Sequence, residues 1–169
     1  SEAINSGGGN VSLDASTDIL VNANITSGSG NITLHSDTDS GNDGGVAVTA
    51  TVNAGGGNIV IGGGADPAVN RAQGTAATGN HGVLVDGGTL QTSGTGTISV
   101  LGNTAIVGGD GIRIDNSGTV QGASGSITLD GTADEDDGVQ IANTSLVSAT
   151  GGAISITGVS GEDEGVQIF

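Results

Sequence analysis

A short sequence recurs through this chain at near-constant spacing, and that recurrence limits the fold more than any other feature. Gly45-Val46-Ala47-Val48, Gly82-Val83-Leu84-Val85, Gly111-Ile112-Arg113-Ile114, Gly138-Val139-Gln140-Ile141 and Gly165-Val166-Gln167-Ile168 repeat one pattern, with Asp18-Ile19-Leu20-Val21 ahead of them. Successive copies begin 27, 37, 29, 27 and 27 residues apart. A second family alternates with these copies, at Val11/Leu13, Ile32/Leu34, Ile59/Ile61, Ile98/Val100, Ile127/Leu129 and Ile154/Ile156. A third apolar position, Ile25, Val52, Leu90, Val120 and Val147, lies between the two. Within each segment apolar residues alternate with small polar ones, the period of a strand with one buried face.

Three short strands per rung, recurring over about six rungs with no helical segment between them, predict an all-β β-solenoid in which each coil hydrogen-bonds in parallel to the last. One coil cannot bury its own face. Stacking places Val46 over Ile19 and Val83 over Val46, and the aliphatic columns so formed supply the core that the single aromatic, Phe169, cannot. Thirty-five glycines would suggest low complexity, but disordered chains lack regularly spaced β-branched residues, and glycine and serine cluster here where the chain turns.

Asn10, Asn31 and Asn58 each directly precede a second-family strand, and stacked they are expected to form an internal amide ladder. From the first family to the second, the interval lengthens from 13 residues in the early rungs to 15 in the later ones, so a corner must change shape near the third rung. The extra length of the long rungs falls after the second family, at residues 35–44, 62–81, 101–110, 130–137 and 157–164. Loops inserted on one edge often mark the variable, functional side of a repeat fold.

At GGGNVSLDASTDILVNANITSGSGNITL, residues 7–34, and again in style at DGIRIDNSGTVQGASGSITL, residues 110–129, the sequence resembles the filamentous-haemagglutinin type of giant bacterial surface adhesin. The resemblance covers nearly the whole chain but is one of repeat grammar. It implies a right-handed parallel β-helix, exported and elongated, with a structural or adhesive role at the bacterial cell surface. The amino-terminal secretion domain of that family is missing here. Ser1 and Phe169 accordingly read as cut ends, with residues 1–169 a single solenoid segment of a much longer repeat protein.

Eighteen acidic residues against two basic ones give a formal charge of −16, which repels nucleic acid and anionic membranes. No apolar run reaches transmembrane length, and the chain has no cysteine for a disulfide or thiolate metal site. No catalytic or cofactor-binding residue and no required cofactor is expected. Acid gathers on the inserted edge, as Asp37, Asp39 and Asp43, then Asp134, Glu135, Asp136 and Asp137, then Glu162, Asp163 and Glu164. A solvated acidic rim is the plain expectation. The candidate ligands for Ca²⁺ are Asp134, Asp136, Asp137, Glu162, Asp163 and Glu164, although no EF-hand or nonapeptide calcium repeat is present. Asp110, Asp137 and Glu164 each precede a strand-opening glycine, so they should stack and repel unless a cation or water spaces them.

The alternative is a polysaccharide-binding or polysaccharide-cleaving β-helix. Asp86 and Asp115 occupy equivalent places on adjacent rungs and could lie at the separation used by retaining glycosidases. Any equivalent pair shares that geometry, however, and sugar hydrolases need aromatic and basic groups that are scarce here. An ice-binding solenoid would need outward threonine pairs, and the pair Thr49 and Thr51 is not repeated in the next rungs. His35 and His81 are expected at the surface of inserted loops. Asn10, Asn24, Asn31 and Asn143 begin glycosylation sequons that matter only in a glycosylating host. The outward column Leu20, Ala47 and Leu84 is apolar, whereas Arg113, Gln140 and Gln167 continue it as polar. Either the 62–81 loop or a neighbouring molecule is expected to cover the apolar part. The expected partners are therefore further copies, joined through the solenoid ends and this face, and a host or surface carbohydrate.

Overall fold

The computed structural model describes residues 2–169, and it is a parallel β-solenoid of about six turns with three strands per turn. The first sheet stacks Ile19–Val21, Val46–Val48, Val83–Asp86, Ile112–Asp115, Val139–Ile141 and Val166–Ile168. A second contains Val11–Asp14, Ile32–His35, Ile59–Gly62, Ile98–Thr104, Ile127–Ala133 and Ile154–Ser160. The third runs from Ile4–Asn5 through Ile25–Thr26, Thr51–Gly55, Thr89–Thr92 and Thr119–Gly122 to Leu146–Ala149.

Every expected column is in register. Ile19, Val46, Val83, Ile112, Val139 and Val166 pair in single file, as do Ile25, Val52, Leu90, Val120 and Val147. Their side chains meet along the axis in one continuous core, and from the second coil to the fourth they are almost fully buried. Each such aliphatic contributes roughly 1.5–3 kcal/mol of gross stabilisation, which a single coil could not collect.

The asparagine ladder exists, but on the outside, which corrects the expected interior position. Val11, Ile32 and Ile59 point inward, so by strand alternation the preceding residue must point outward. The side-chain Oδ1 of Asn10 accepts from the backbone N–H of Asn31, that of Asn31 from Asn58, and that of Asn58 from Thr97, at 2.9, 2.9 and 2.8 Å. Asn58 also accepts from the Thr97 hydroxyl at 3.1 Å. Asn58→Ala should therefore cost about 1–2 kcal/mol in urea unfolding, through a lost hydrogen bond and an orphaned N–H.

The corner that changes shape is the one between the first and third sheets. Above the third coil it is filled by Asn116, Ser117, Asn143 and Thr144, all at positive φ, with the Ser117 and Thr144 hydroxyls 3.0 Å apart. A register shift between Gln91 and Thr92 absorbs the remaining change.

The inserted segments do lie together, between the second and first sheets. Three of them begin as strand rather than loop, because Ile98–Thr104, Ile127–Ala133 and Ile154–Ser160 continue the ladder for seven residues. Glycines allow this continuation. Gly102, Gly131 and Gly158 stack in one column against the backbone of Gly111, Gly138 and Gly165, where no side chain fits. In the third coil the same strand is split. Ile59–Gly62 leaves the ladder at residue 63, turns through Asp66 to Asn70 and is closed by Gly63 N–H donating to Asn70 O at 3.0 Å. Ala72–Gln73 then rejoins opposite Gly102 and Asn103.

Beyond this detour a 3-10 helix, Ala76–Thr78, packs against Val46–Val48, where Ala47 is buried. Thr75 at its N-cap donates to Asp18 Oδ1 at 2.7 Å. The long loop thus covers Ala47, whereas Leu84 is half-buried and Leu20 stays 50% exposed.

Candidate functional site

Three places on the inserted edge gather polar chemistry. The first is an ion-pair cluster in the fourth coil. On a strand leaving the corner, residues i and i+3 reach one another where the backbone bends, and Arg113 Nη1 lies 3.2 Å from Asp110 Oδ2. The same guanidinium donates through Nε to Asp115 Oδ2 at 2.9 Å, while Asn143 and the backbone N–H of Asn116 occupy Asp115 Oδ1. Asp110 is only 2% exposed, and burial pushes its carboxyl up to about 6 against the pull of Arg113. On Asp115 burial also acts upward, but hydrogen bonds from Asn143 and Arg113 outweigh it and hold the group below the usual carboxylate range.

His81 belongs to this cluster and is 7% exposed, which corrects its expected place at the surface. Its Nδ1 accepts the Asp110 backbone N–H at 2.9 Å, so that nitrogen carries no proton. Burial, reinforced by Arg113, lowers its pKa to about 4, and the ring is neutral at pH 7 despite Asp110 Oδ2 at 3.4 Å. An NMR titration of the imidazole should show a midpoint near pH 4. The unfolded chain takes up this proton near pH 6.5 and the folded one near 4, so His81 withdraws stability as pH falls through that window. Asp110 acts oppositely between about 6 and its ordinary 3.8. His81 does lie in the inserted segment, whereas His35 does not. It ends the strand Ile32–His35, with Nδ1 3.0 Å from Asp14 Oδ1 and Nε2 2.6 Å from Gly64 O.

The acidic column is organised by its neighbours. Asp110 is held by Arg113, Gln140 Nε2 donates to Asp137 Oδ2 at 2.6 Å, and Gln167 Nε2 lies 3.4 Å from Glu164. The polar outward residues of the first sheet thus each face the acid three positions earlier. Carboxylate oxygens of Asp137, Asp163 and Glu164 come within 4.8 Å of one another, as do those of Asp37, Asp39 and Asp43. Asp134, Asp136 and Glu162 join neither group, and Asp136 Oδ2 instead accepts from Gly108 N–H at 2.7 Å.

The third place is a polar cleft of about 410 Å³ beside the detour, lined by Asp37, Asn42, Asn70, Arg71, Gln73 and Asn103 among others. Arg71 is anchored by Asp130 at 2.7 Å, and its Nε has no partner. Sequence spacing does not show this cleft, because it is assembled from three coils and a non-repeating loop. Asp86 and Asp115 do pair as adjacent-coil equivalents, but Asp86 accepts from Asn116 Nδ2 at 2.6 Å and Asp115 is tied to Arg113, so both carboxylates are engaged.

No family model, curated protein or solved structure gave a match to this chain. The fold itself defines its class, a parallel β-solenoid repeat protein.

Proposed function

We propose that this chain is a structural or adhesive segment of a secreted bacterial surface fibre, filamentous-haemagglutinin-like in its repeat grammar and without catalysis. The observation that supports this reading is the uninterrupted stack of in-register coils. At the first coil, Ile4, Leu13, Leu20 and Ile25 line a recess of about 250 Å³. At the last, Ile154, Val166, Ile168 and Phe169 are exposed. Coils joined by parallel hydrogen bonds and aliphatic columns can be repeated along the axis, so further coils of the same kind are the partner this chemistry favours. Six coils rise only about 25–30 Å at 4.8 Å each, and a fibre therefore needs many more of them. Immunogold labelling of intact source cells with antibodies to residues 1–169 tests the reading. Surface or filament labelling is expected, and labelling only after permeabilisation would overturn it.

A second reading, polysaccharide binding, draws on the cleft beside Arg71. Its mixture of amide, carboxylate and guanidinium groups offers alternating donors and acceptors of the kind that hydroxyl-rich ligands take. Glycan-array binding that Asn103→Ala abolishes would favour it.

A further inference from the structure

The fourth, fifth and sixth coils carry the same acidic column with different compensation. In the fourth coil the guanidinium of Arg113 neutralises Asp110. In the next two, glutamine replaces arginine while acid accumulates, until Asp137, Asp163 and Glu164 bring carboxylate oxygens within 4.8 Å of one another. Among the described residues no cationic side chain pairs with them, although Arg113 acts on Asp137 from a distance. An acidic cluster at a surface needs nothing more than water, but this one has a buried side. Asp137 is 2% and Gln140 9% exposed, and Asp137 Oδ1 and Gln140 Oε1 are both buried with no hydrogen-bond partner.

Those two oxygens are acceptors without a donor, on side chains joined by the bond from Gln140 Nε2 to Asp137 Oδ2. The amide of Gln140 spends its N–H groups on Asp137 Oδ2 and Gln167 Oε1, at 2.6 and 3.0 Å, which leaves its carbonyl oxygen facing no proton. Burial of an unpaired carboxylate oxygen is costly, and the charges of Asp163 and Asp136 add to burial in raising Asp137 above its ordinary range. An oxygen-rich pocket lacking protons is what a hard cation fills.

We infer that Asp137, Asp163 and Glu164, with the Gln140 carbonyl oxygen, form a Ca²⁺ site that takes over in the fifth and sixth coils the role Arg113 has in the fourth. Calcium fits better than magnesium because it accepts irregular sets of carboxylate and amide oxygens, whereas magnesium demands near-octahedral geometry and holds its waters. The second acidic group, Asp37, Asp39 and Asp43, differs. Asp37 Oδ1 already accepts from the backbone N–H of Asn42 at 2.8 Å, and among the described residues no buried oxygen there lacks a partner. The inference is independent of the fibre reading.

The test is calorimetric titration and thermal melting of the whole chain with CaCl₂ at constant ionic strength. Saturable binding is expected, with a Tm increase of roughly 3–10 °C in 10 mM CaCl₂. Asp163→Asn, at an exposed position, should weaken binding roughly tenfold or more, and Asp39→Asn should leave it unchanged. Asp137→Asn should raise Tm without calcium and abolish the calcium response. Three results would overturn the site: no saturable response, an equal response to MgCl₂, or a response insensitive to Asp163→Asn. The second of these would be plain screening of a chain with 18 acidic residues.

Discussion

Gly131→Ala is expected to destabilise the protein by roughly 3 kcal/mol or more, read as a lower urea midpoint at unchanged slope. Gly131 lies midway along the continued strand Ile127–Ala133, where the second sheet meets the first. A Cβ there would fall far inside 3.0 Å of the Gly138 carbonyl oxygen, and the Gly138 carbonyl carbon and the Val139 side chain are also too close. Backbone cannot rotate away as a side chain can. The sheets would have to part at this corner, against a total stability of only about 5–15 kcal/mol for an ordinary domain. Gly56→Ala is the control. A Cβ at Gly56 meets nothing within 4 Å, so its effect should stay within about 0.5 kcal/mol. Equal effects at the two positions would mean that the glycine column is not what joins the sheets.

Arg113→Ala comes next, with an expected loss of about 3 kcal/mol at pH 7. Removing one partner of a buried pair leaves an uncompensated charge, and the low end of the usual range applies because the guanidinium is partly solvated. The loss should shrink with acid. Arg113 holds the Asp110 pKa down, so without it the carboxyl in the folded chain titrates above about 6 while the unfolded chain keeps 3.8. Between those values the folded state binds the proton more tightly and gains stability as pH falls. Loss of Arg113 also removes a repulsion that helps keep His81 neutral, which adds to the recovery. Combining Arg113→Ala with Asp110→Asn should restore most of the stability, since the amide oxygen introduced by the second substitution can still accept the Asp137 N–H. A cost that is independent of pH, or unrelieved in the double variant, would contradict this account.

The columns were legible in the sequence because the solenoid writes its contacts as periodicity. Ile112 and Val139 stand 27 residues apart and pair directly. The direction of the asparagine ladder is legible too, because alternation one residue back from the inward Val11, Ile32 and Ile59 turns Asn10, Asn31 and Asn58 outward. The strand continuations were not. Leu101–Thr104 and its equivalents contain glycines and polar residues that resemble loop, and only the neighbouring Gly111 and Gly138 explain why glycine sits inside a strand. His81 is a similar case, since the partner of its ring nitrogen is an N–H on the next coil and not a flanking residue. The pairing of Arg113, Gln140 and Gln167 with the acid three positions earlier lay in plain view as a spacing, but strand geometry alone does not bring i and i+3 together; the corner bend does.

The split strand in the third coil has a practical consequence. Residues 63–71 depart from the hydrogen-bond ladder at one point and return beside it, so the flanking pairs Ile61 with Val100 and Ala72 with Gly102 do not depend on the length of the tip between Asp66 and Asn70. Lengthening a closed surface excursion adds only slowly to its entropic cost. A foreign epitope inserted between Asp66 and Asn70, whose hydrogen bonds close the turn, would be displayed on a rigid scaffold whose periodic face need not change, and this splice point can vary while the spine stays untouched.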